Sequence, residues 1–169
     1  MQIHVAECDL TDLPVDAVVN PTNSLGLMTQ GVAASLLKKG GQIIEDEAKA
    51  SAPIAVGAAV VTTGGTLYAR HVIHVPTIEE PGAKPSIESI RRATRAALVA
   101  SVARGLNTIG LPPIVDSANA VPFEETARAM VDELRAHRQT IPSTVYLVTL
   151  QKEMLFAFED ALRNAYAPG

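Results

Sequence analysis

Short apolar runs of strand-like character recur along the chain. The first alternates apolar and polar side chains, and the others are compact runs rich in β-branched residues, bounded by glycine or proline. This pattern predicts about six strands, at residues 1–6, 16–19, 58–63, 71–75, 108–111 and 145–150.

Segments with helical spacing of apolar residues separate most of these strands. They are predicted at residues 31–40, 42–50 and 86–104, from Pro122 onward, and at about 152–165. The proline-rich stretch 76–85 predicts a loop. Alternating strands and long helices indicate βαβ units, which place helices on both faces of a largely parallel sheet. We therefore expect one α/β domain over residues 1–169, a three-layer α/β/α fold around a mostly parallel, mixed sheet.

Composition narrows the classes of partner. Of 169 residues, 47% are hydrophobic and 19% are charged, which is ordinary for one compact core. Fourteen Lys and Arg residues against eighteen Asp and Glu residues give a formal charge of −4. Nucleic acid and membranes are therefore not expected as partners. A phosphate site would have to use backbone N–H groups rather than a field of cationic side chains.

Cysteine and histidine usage argues against metal chemistry. The single cysteine, Cys8, excludes an internal disulfide and a cysteine-based zinc site. The four histidines lack the spacing of metal ligands, so we expect neither a metal nor another cofactor. The first residues show no basic patch followed by an apolar stretch, and no long apolar run occurs. We expect a cytoplasmic protein.

Two loops lie where an α/β sheet of this kind binds ligands, at the carboxyl ends of its strands. The first, residues 20–31, contains Asn20-Pro21-Thr22-Asn23 and ends at Gly31, where a helix begins. Free N–H groups and the positive end of the helix dipole favour a phosphate at such a position. The second loop spans residues 112–122.

The residues around the first loop resemble the opening of the macrodomain family. That family has Gly-Asp-Ile-Thr, an apolar strand, Asn-Ala-Ala-Asn, and a glycine-rich loop that leads into a helix. Here Asp9-Leu10-Thr11 and Asn20-Pro21-Thr22-Asn23 take the places of the two motifs. The later segments AAVVTTGGTLYARHVIHV, TIGLPPIV and VPFEETARAMV resemble the family's paired strands and its second ligand loop, so the resemblance covers nearly the whole chain.

Macrodomains bind ADP-ribose, and many hydrolyse its esters. The resemblance implies that this chain binds ADP-ribose or a related adenine nucleotide derivative in a cleft at the C-terminal ends of the strands. One alternative is a hydrolase that removes ADP-ribose from protein esters or phosphate from ADP-ribose 1''-phosphate. Another is a divergent macrodomain with a different ligand or a role in assembly. An ADP-ribosylated protein as a further partner, and an oligomer, are left open.

The resemblance also implies individual contacts. Asp9 would accept a hydrogen bond from the adenine amino group beside the Leu10 N–H, and Asn23 would hold the distal ribose and position it for catalysis in a hydrolase. Gly31 and Val32 would contact the diphosphate. The remaining expected contacts are Asn20, Gln30, Ser117, Ala118, Asn119, Ala120 and Leu150. From the residues alone, Asp9 equally caps a turn before Thr11. The stretch from Asn20 to Asn23 is turn sequence that more often has a structural role, and Asn20 is expected to hold the loop in shape.

Three departures from the family pattern bear on the chemistry. Gln30 stands where the family has a glycine, Ser117 to Ala120 replace a loop with two glycines and an aromatic residue, and Leu150 replaces an aromatic residue. If those glycines need positive φ angles, serine and alanine resist them. Asp116 also places a negative charge beside the expected diphosphate unless its side chain faces outward. These departures weigh against hydrolysis more than against binding.

Overall fold

The structure is a computed structural model that describes residues 1–80 and 82–164. Its elements, in chain order, are β1 (Gln2–Glu7), β2 (Ala17–Asn23), α1 (Gly31–Gly40), α2 (Gln42–Ala50), β3 (Val60–Thr63), β4 (His71–Ile78), α3 (Ile87–Arg104), β5 (Thr108–Leu111), α4 (Phe123–Ala136), β6 (Thr144–Thr149) and α5 (Lys152–Asn164). A short 3-10 turn, Leu10–Asp12, follows β1. The last helix was predicted to reach Ala165, which lies outside the described residues.

The strands form one six-stranded sheet in the order β1-β6-β5-β2-β4-β3. Neighbouring strands are parallel except β3, which pairs antiparallel with β4. On β2, Ala17 and Val19 face the apolar core under α3, α4 and α5, whereas Val18 faces the core under α1 and α2. The predicted α/β class, with helices on both faces of a mixed sheet, is confirmed.

Within residues 1–80 and 82–164, none of the helices combines the length and the apolar character needed to span a bilayer.

The sheet opens between β2 and β5. Strands β4 and β3 lie on one side of this opening beside β2, and strands β6 and β1 lie on the other side beside β5. These two strands pair only through Ala17 with Ile109 and Val18 with Gly110. Beyond Val18, β2 continues beside β4 while β5 turns away into the second loop. A crevice at such a switch point is where open α/β sheets bind ligands.

Two predicted boundaries at this edge were wrong. Asn20-Pro21 was expected to end β2, but the strand continues to Asn23, and the loop expected from Pro76 begins only after Ile78. The two strands extend together because they pair in parallel over this length, with one register shift between Thr22 and Asn23. Past Val18, β2 has lost the pairing with β5, so Pro21 occupies a strand edge, where a missing N–H is tolerated.

A buried polar network ties β2, β4 and β3 together. His74 is fully buried, with Nδ1 3.1 Å from Asn20 Nδ2 and Nε2 2.9 Å from Thr62 Oγ1. Because the Asn20 Nδ2 group can only donate, His74 Nδ1 accepts and its Nε2–H donates to Thr62. Burial lowers the pKa of His74 from 6.5 to about 4, so the ring is neutral in the folded protein at neutral pH.

This burial makes stability depend on pH. Below pH 6.5 the unfolded chain binds a proton at His74 that the folded chain refuses until about pH 4, so acidification favours unfolding. We expect this residue to remove about 3 kcal/mol from the free energy of unfolding between pH 7 and pH 4. Urea titrations of the wild type and of His74→Gln at several pH values measure the difference. Parallel pH profiles for the two proteins would contradict the assignment.

Candidate functional site

A cleft with two connected halves lies over the opening between β2 and β5. The wide half has a volume of about 480 Å³ and is lined by residues that include Asn23, Gln30, Ile78 and Ser117. The narrow half has a volume of about 270 Å³ and is lined by residues that include Asp9, Leu10, Leu150 and Gln151. The residues common to both linings are Gly31, Val32, Pro113 and Asp116. The two predicted ligand loops therefore converge on one concave surface.

Asp9 lines the narrow half. Its Oδ1 accepts hydrogen bonds from Thr11 N at 2.9 Å and Thr11 Oγ1 at 2.7 Å, and so caps the 3-10 turn. Its Oδ2 lies 3.7 Å from Lys39 Nζ, and the side chain is 37% exposed. The bonds from the Thr11 hydroxyl and N–H lower the pKa of this carboxyl, which keeps it charged. The structural role and a ligand role are compatible because they use different oxygens.

The 3-10 turn that carries Asp9 rests directly on the sheet. Gly110 permits this approach, because a Cβ built there would meet Leu13 Cδ1 at 2.6 Å and Leu10 Cδ1 at 3.1 Å. Cys8 precedes the turn and lines the narrow half. Burial first, and the nearby carboxylates of Asp12 and Asp9 second, raise the pKa of its thiol. A thiol with a raised pKa is a poor nucleophile at neutral pH.

The N-terminus of α1 forms the junction between the halves. Gln30 precedes the helix and makes no capping side-chain bond, and Gly31, Val32 and Ala33 line the wide half. The first N–H groups of a helix have no partner within it and attract anions. Gly31 has φ +57°, a conformation that favours glycine, so the backbone at the start of α1 depends on a glycine at this position.

Asn23 lines the wide half at the end of β2. Its Oδ1 accepts from Leu25 N at 3.0 Å and Leu27 N at 3.4 Å, whereas its Nδ2 has only a 3.5 Å contact with Leu27 O. The amide thus shapes the loop through its oxygen and keeps donor capacity at its nitrogen. Asn20, in contrast, is fully buried against His74 and does not line the cleft, so a direct ligand contact from its side chain is incompatible with this conformation.

Comparison with known proteins is consistent with this architecture. The family model described as Macro domain matches residues 19–130. The chain belongs to the macrodomain family. It is 43% identical to a protein of Aquifex aeolicus over 96% of this chain and 98% of that protein. It is 38% identical to a protein of Aeropyrum pernix over 93% of this chain and 83% of that protein.

Solved macrodomains share the fold at low sequence identity. A mutant of the Oceanobacillus iheyensis macrodomain with ADPR gives a TM-score of 0.85 at 18% identity, covering 97% of this chain and 93% of that one. The Trypanosoma brucei macrodomain in complex with ADP-ribose gives a TM-score of 0.81 at 22% identity, covering 95% and 69%. These similarities show that the three-layer arrangement of this macrodomain is that of the family.

The second loop of this macrodomain folds as a tight turn. Ala120 N and Val121 N both donate to Ser117 O, at 3.1 and 3.3 Å. Among the described residues only glycines have positive φ, so Ser117 to Ala120 avoid the conformation that was expected to strain them. Ser117 and Ala120 line the wide half, but Ala118 lines a separate surface groove, and Asn119 is exposed outside these cavities. The Ala120 N–H is already used within the turn.

Several cleft residues were not predicted from the sequence. Thr77 and Ile78 at the end of β4, and Gly82 and Pro85 after it, line the wide half. They were assigned to a loop without a role, although the position of β4 beside β2 would have placed that loop at the same edge. A contact of Gln151 with the second loop was also not predicted. Its Nε2 donates to Asp116 O at 3.1 Å and so joins the residue after Leu150 to the second loop.

The described residues hold no group of three or more His, Cys, Asp or Glu side chains that could bind a metal ion. The charged side chains that line the two halves are the carboxylates of Asp9 and Asp116. The first turn of α1 is therefore the main positive feature of the cleft lining.

Glu45 of α2 holds the first loop in place. Its Oε2 accepts from Met28 N at 2.7 Å in a buried bond, and its Oε1 accepts from Gln42 Nε2 at 2.9 Å and Lys49 Nζ at 3.3 Å. The bonds from Gln42 and from the Met28 N–H lower the pKa of this carboxyl. Because Met28 immediately precedes Thr29 and Gln30, this bond fixes the approach to α1.

Replacing Glu45 by alanine leaves the buried Met28 N–H without its acceptor. We expect the free energy of unfolding to fall by about 1–3 kcal/mol, measured by chemical denaturation. Asp46→Ala, at the exposed neighbouring position of the same helix, is the control and should change it by no more than about 0.5 kcal/mol. Equal losses in the two variants would refute an anchoring role for Glu45.

Proposed function

We propose that this macrodomain binds ADP-ribose, with adenine in the narrow half, the diphosphate at the N-terminus of α1, and the distal ribose in the wide half. The observation that carries the proposal is that the half lined by Asp9 and the half lined by Asn23 adjoin, with Gly31 at the start of α1 in the lining of both. The O. iheyensis and T. brucei macrodomains with ADPR and ADP-ribose, which share this fold, support the same class of ligand.

Adenine recognition would use Asp9 and Leu150. Oδ1 is engaged by Thr11, and Oδ2 of Asp9, which pairs with Lys39 at 3.7 Å, has further capacity to accept a hydrogen bond from the adenine amino group. A carboxylate only accepts, so it discriminates in favour of an amino-bearing base edge. Leu150 is 64% exposed and lines the same half, so a base that covers it would bury apolar area.

Diphosphate binding would use backbone groups. Gly31, Val32 and Ala33 begin α1 and line the wide half, so their N–H groups are the candidate donors, and the Ser117 hydroxyl adds one from the opposite loop. Hydrogen bonds to a charged acceptor contribute about 1.5–3 kcal/mol each, so a few of them can take the place of a lysine.

The distal ribose would lie among Asn23, Gln30 and the segment after β4. The Asn23 Nδ2 group is available to donate to a ribose hydroxyl, and the Gln30 side chain lines the same space. The open volume of about 480 Å³ in the wide half favours a ligand site over a fold kept only for assembly. Hydrolysis of ADP-ribosyl esters stays a prediction of the family resemblance. Gln30 weighs against it, because this side chain occupies the position where the family has a glycine.

Asp9→Asn tests the adenine assignment. The variant keeps an oxygen for the Thr11 bonds but presents an NH₂ donor to the adenine amino group, which is also a donor. Calorimetry should show ADP-ribose affinity about ten- to thirtyfold weaker than in the wild type. The hypoxanthine analogue of ADP-ribose, which presents an oxygen acceptor there, should lose less affinity or gain some.

The matched control is Asp12→Asn, a neighbouring carboxylate that also pairs with Lys39 but lines neither half of the cleft. It should bind ADP-ribose as the wild type does. No heat from the wild type with ADP-ribose at about 1 mM would remove the proposal. Equal affinities for Asp9→Asn and Asp12→Asn would remove the adenine assignment alone.

A further inference from the structure

The Asp116 carboxylate lies where the two halves of the cleft meet. Asp116 lines both halves, and a Cβ built on Gly31 would lie 3.6 Å from its Oδ2. The side chain is exposed to solvent, and its carboxylate lies beside the N-terminus of α1. It occupies the neighbourhood in which the proposed diphosphate would bind.

The backbone of Asp116 is held there by its surroundings. Its carbonyl oxygen accepts from Gln151 Nε2 at 3.1 Å, and the residues before it, Ile114 and Val115, are buried. Ser117, directly after it, begins the tight turn of the second loop. The backbone that carries the carboxylate is thus anchored close to the first turn of α1.

The charges around this position do not offset one another. The other charged side chain that lines the cleft is Asp9, which is also a carboxylate. Its salt-bridge partner, Lys39, lines neither half. An incoming diphosphate would share the α1 N-terminus with a like charge, and the described lining residues include no cation to balance it.

From this placement, and resting on the proposed function, we infer that Asp116 is a resident anion that competes with the ligand's diphosphate for the N-terminus of α1. Asp116 is then a specificity-determining residue. It weakens binding of ligands in proportion to the negative charge that they bring to the junction, and leaves binding of an uncharged nucleoside in the narrow half unaffected. The selectivity of the cleft depends on ligand charge as well as on the base.

The test compares the wild type, Asp116→Asn and Asp132→Asn by calorimetry with ADP-ribose and with adenosine, in buffer that contains a chelator. Asp132 is the control because its substitution removes one negative charge at an exposed position on α4, outside both halves. Two unit charges on the diphosphate at about 5 Å in a water-like medium predict ADP-ribose affinity about tenfold tighter in Asp116→Asn. Adenosine affinity should be unchanged.

Ionic strength separates repulsion from a change of shape. The ratio of ADP-ribose affinities between Asp116→Asn and the wild type should shrink as salt is raised from about 0.01 M to about 1 M, because screening weakens exposed charge interactions. A ratio that does not respond to salt, or an equal gain in Asp132→Asn, would overturn the inference.

Other outcomes are equally decisive. If the wild type binds ADP-ribose and Asp116→Asn binds it equally or more weakly, the resident-anion role is wrong while the proposed function stands. A loss of affinity in Asp116→Asn that occurs only with added Mg²⁺ would instead assign the carboxylate to a cation bridge with the diphosphate, and would also overturn the inference. Failure of the wild type and Asp116→Asn to bind either compound would count against the proposed function itself.

Discussion

The parting of β2 from β5 after Val18 and Gly110 is the constraint on which the site depends. If the two strands stayed paired to their ends, Asn23 and the second loop would be joined by backbone hydrogen bonds and no crevice would form. Because β4 accompanies β2 over its full length, β2 can carry Asn23 beyond the point where β5 leaves. The first turn of α1 lines the space that this parting opens.

The elements of the fold could be predicted because local pattern and tertiary structure agree there. The segment from Gly31 to Gly40 has apolar residues at helical spacing and is bounded by glycines. Thr108–Leu111 is a short β-prone run. Each segment forms the predicted element. The extension of β2 through Asn20-Pro21 could not be predicted, because pairing with β4 overrides the turn propensity of that dipeptide. Which strands pair in the sheet does not follow from the local sequence of either strand.

The candidate site was predictable in outline and not in its details. Asp9 and Gly31 both line the narrow half of the cleft, but Asn20 faces His74 in the core and Asn119 lies outside the cleft lining. The backbone of Asp116 is held by a bond from Gln151, and these two residues follow β5 and β6, which are far apart in sequence and paired in the sheet. The charge beside α1 is therefore a property of the fold rather than of the motif.

A crystal structure of this macrodomain grown with ADP-ribose would test the proposed binding mode directly. We expect diphosphate oxygens within hydrogen-bonding distance of the N–H groups at the start of α1, and the adenine amino group on Asp9 Oδ2. A ligand bound outside the cleft, or adenine seated in the wide half with its phosphates remote from Gly31, would contradict it.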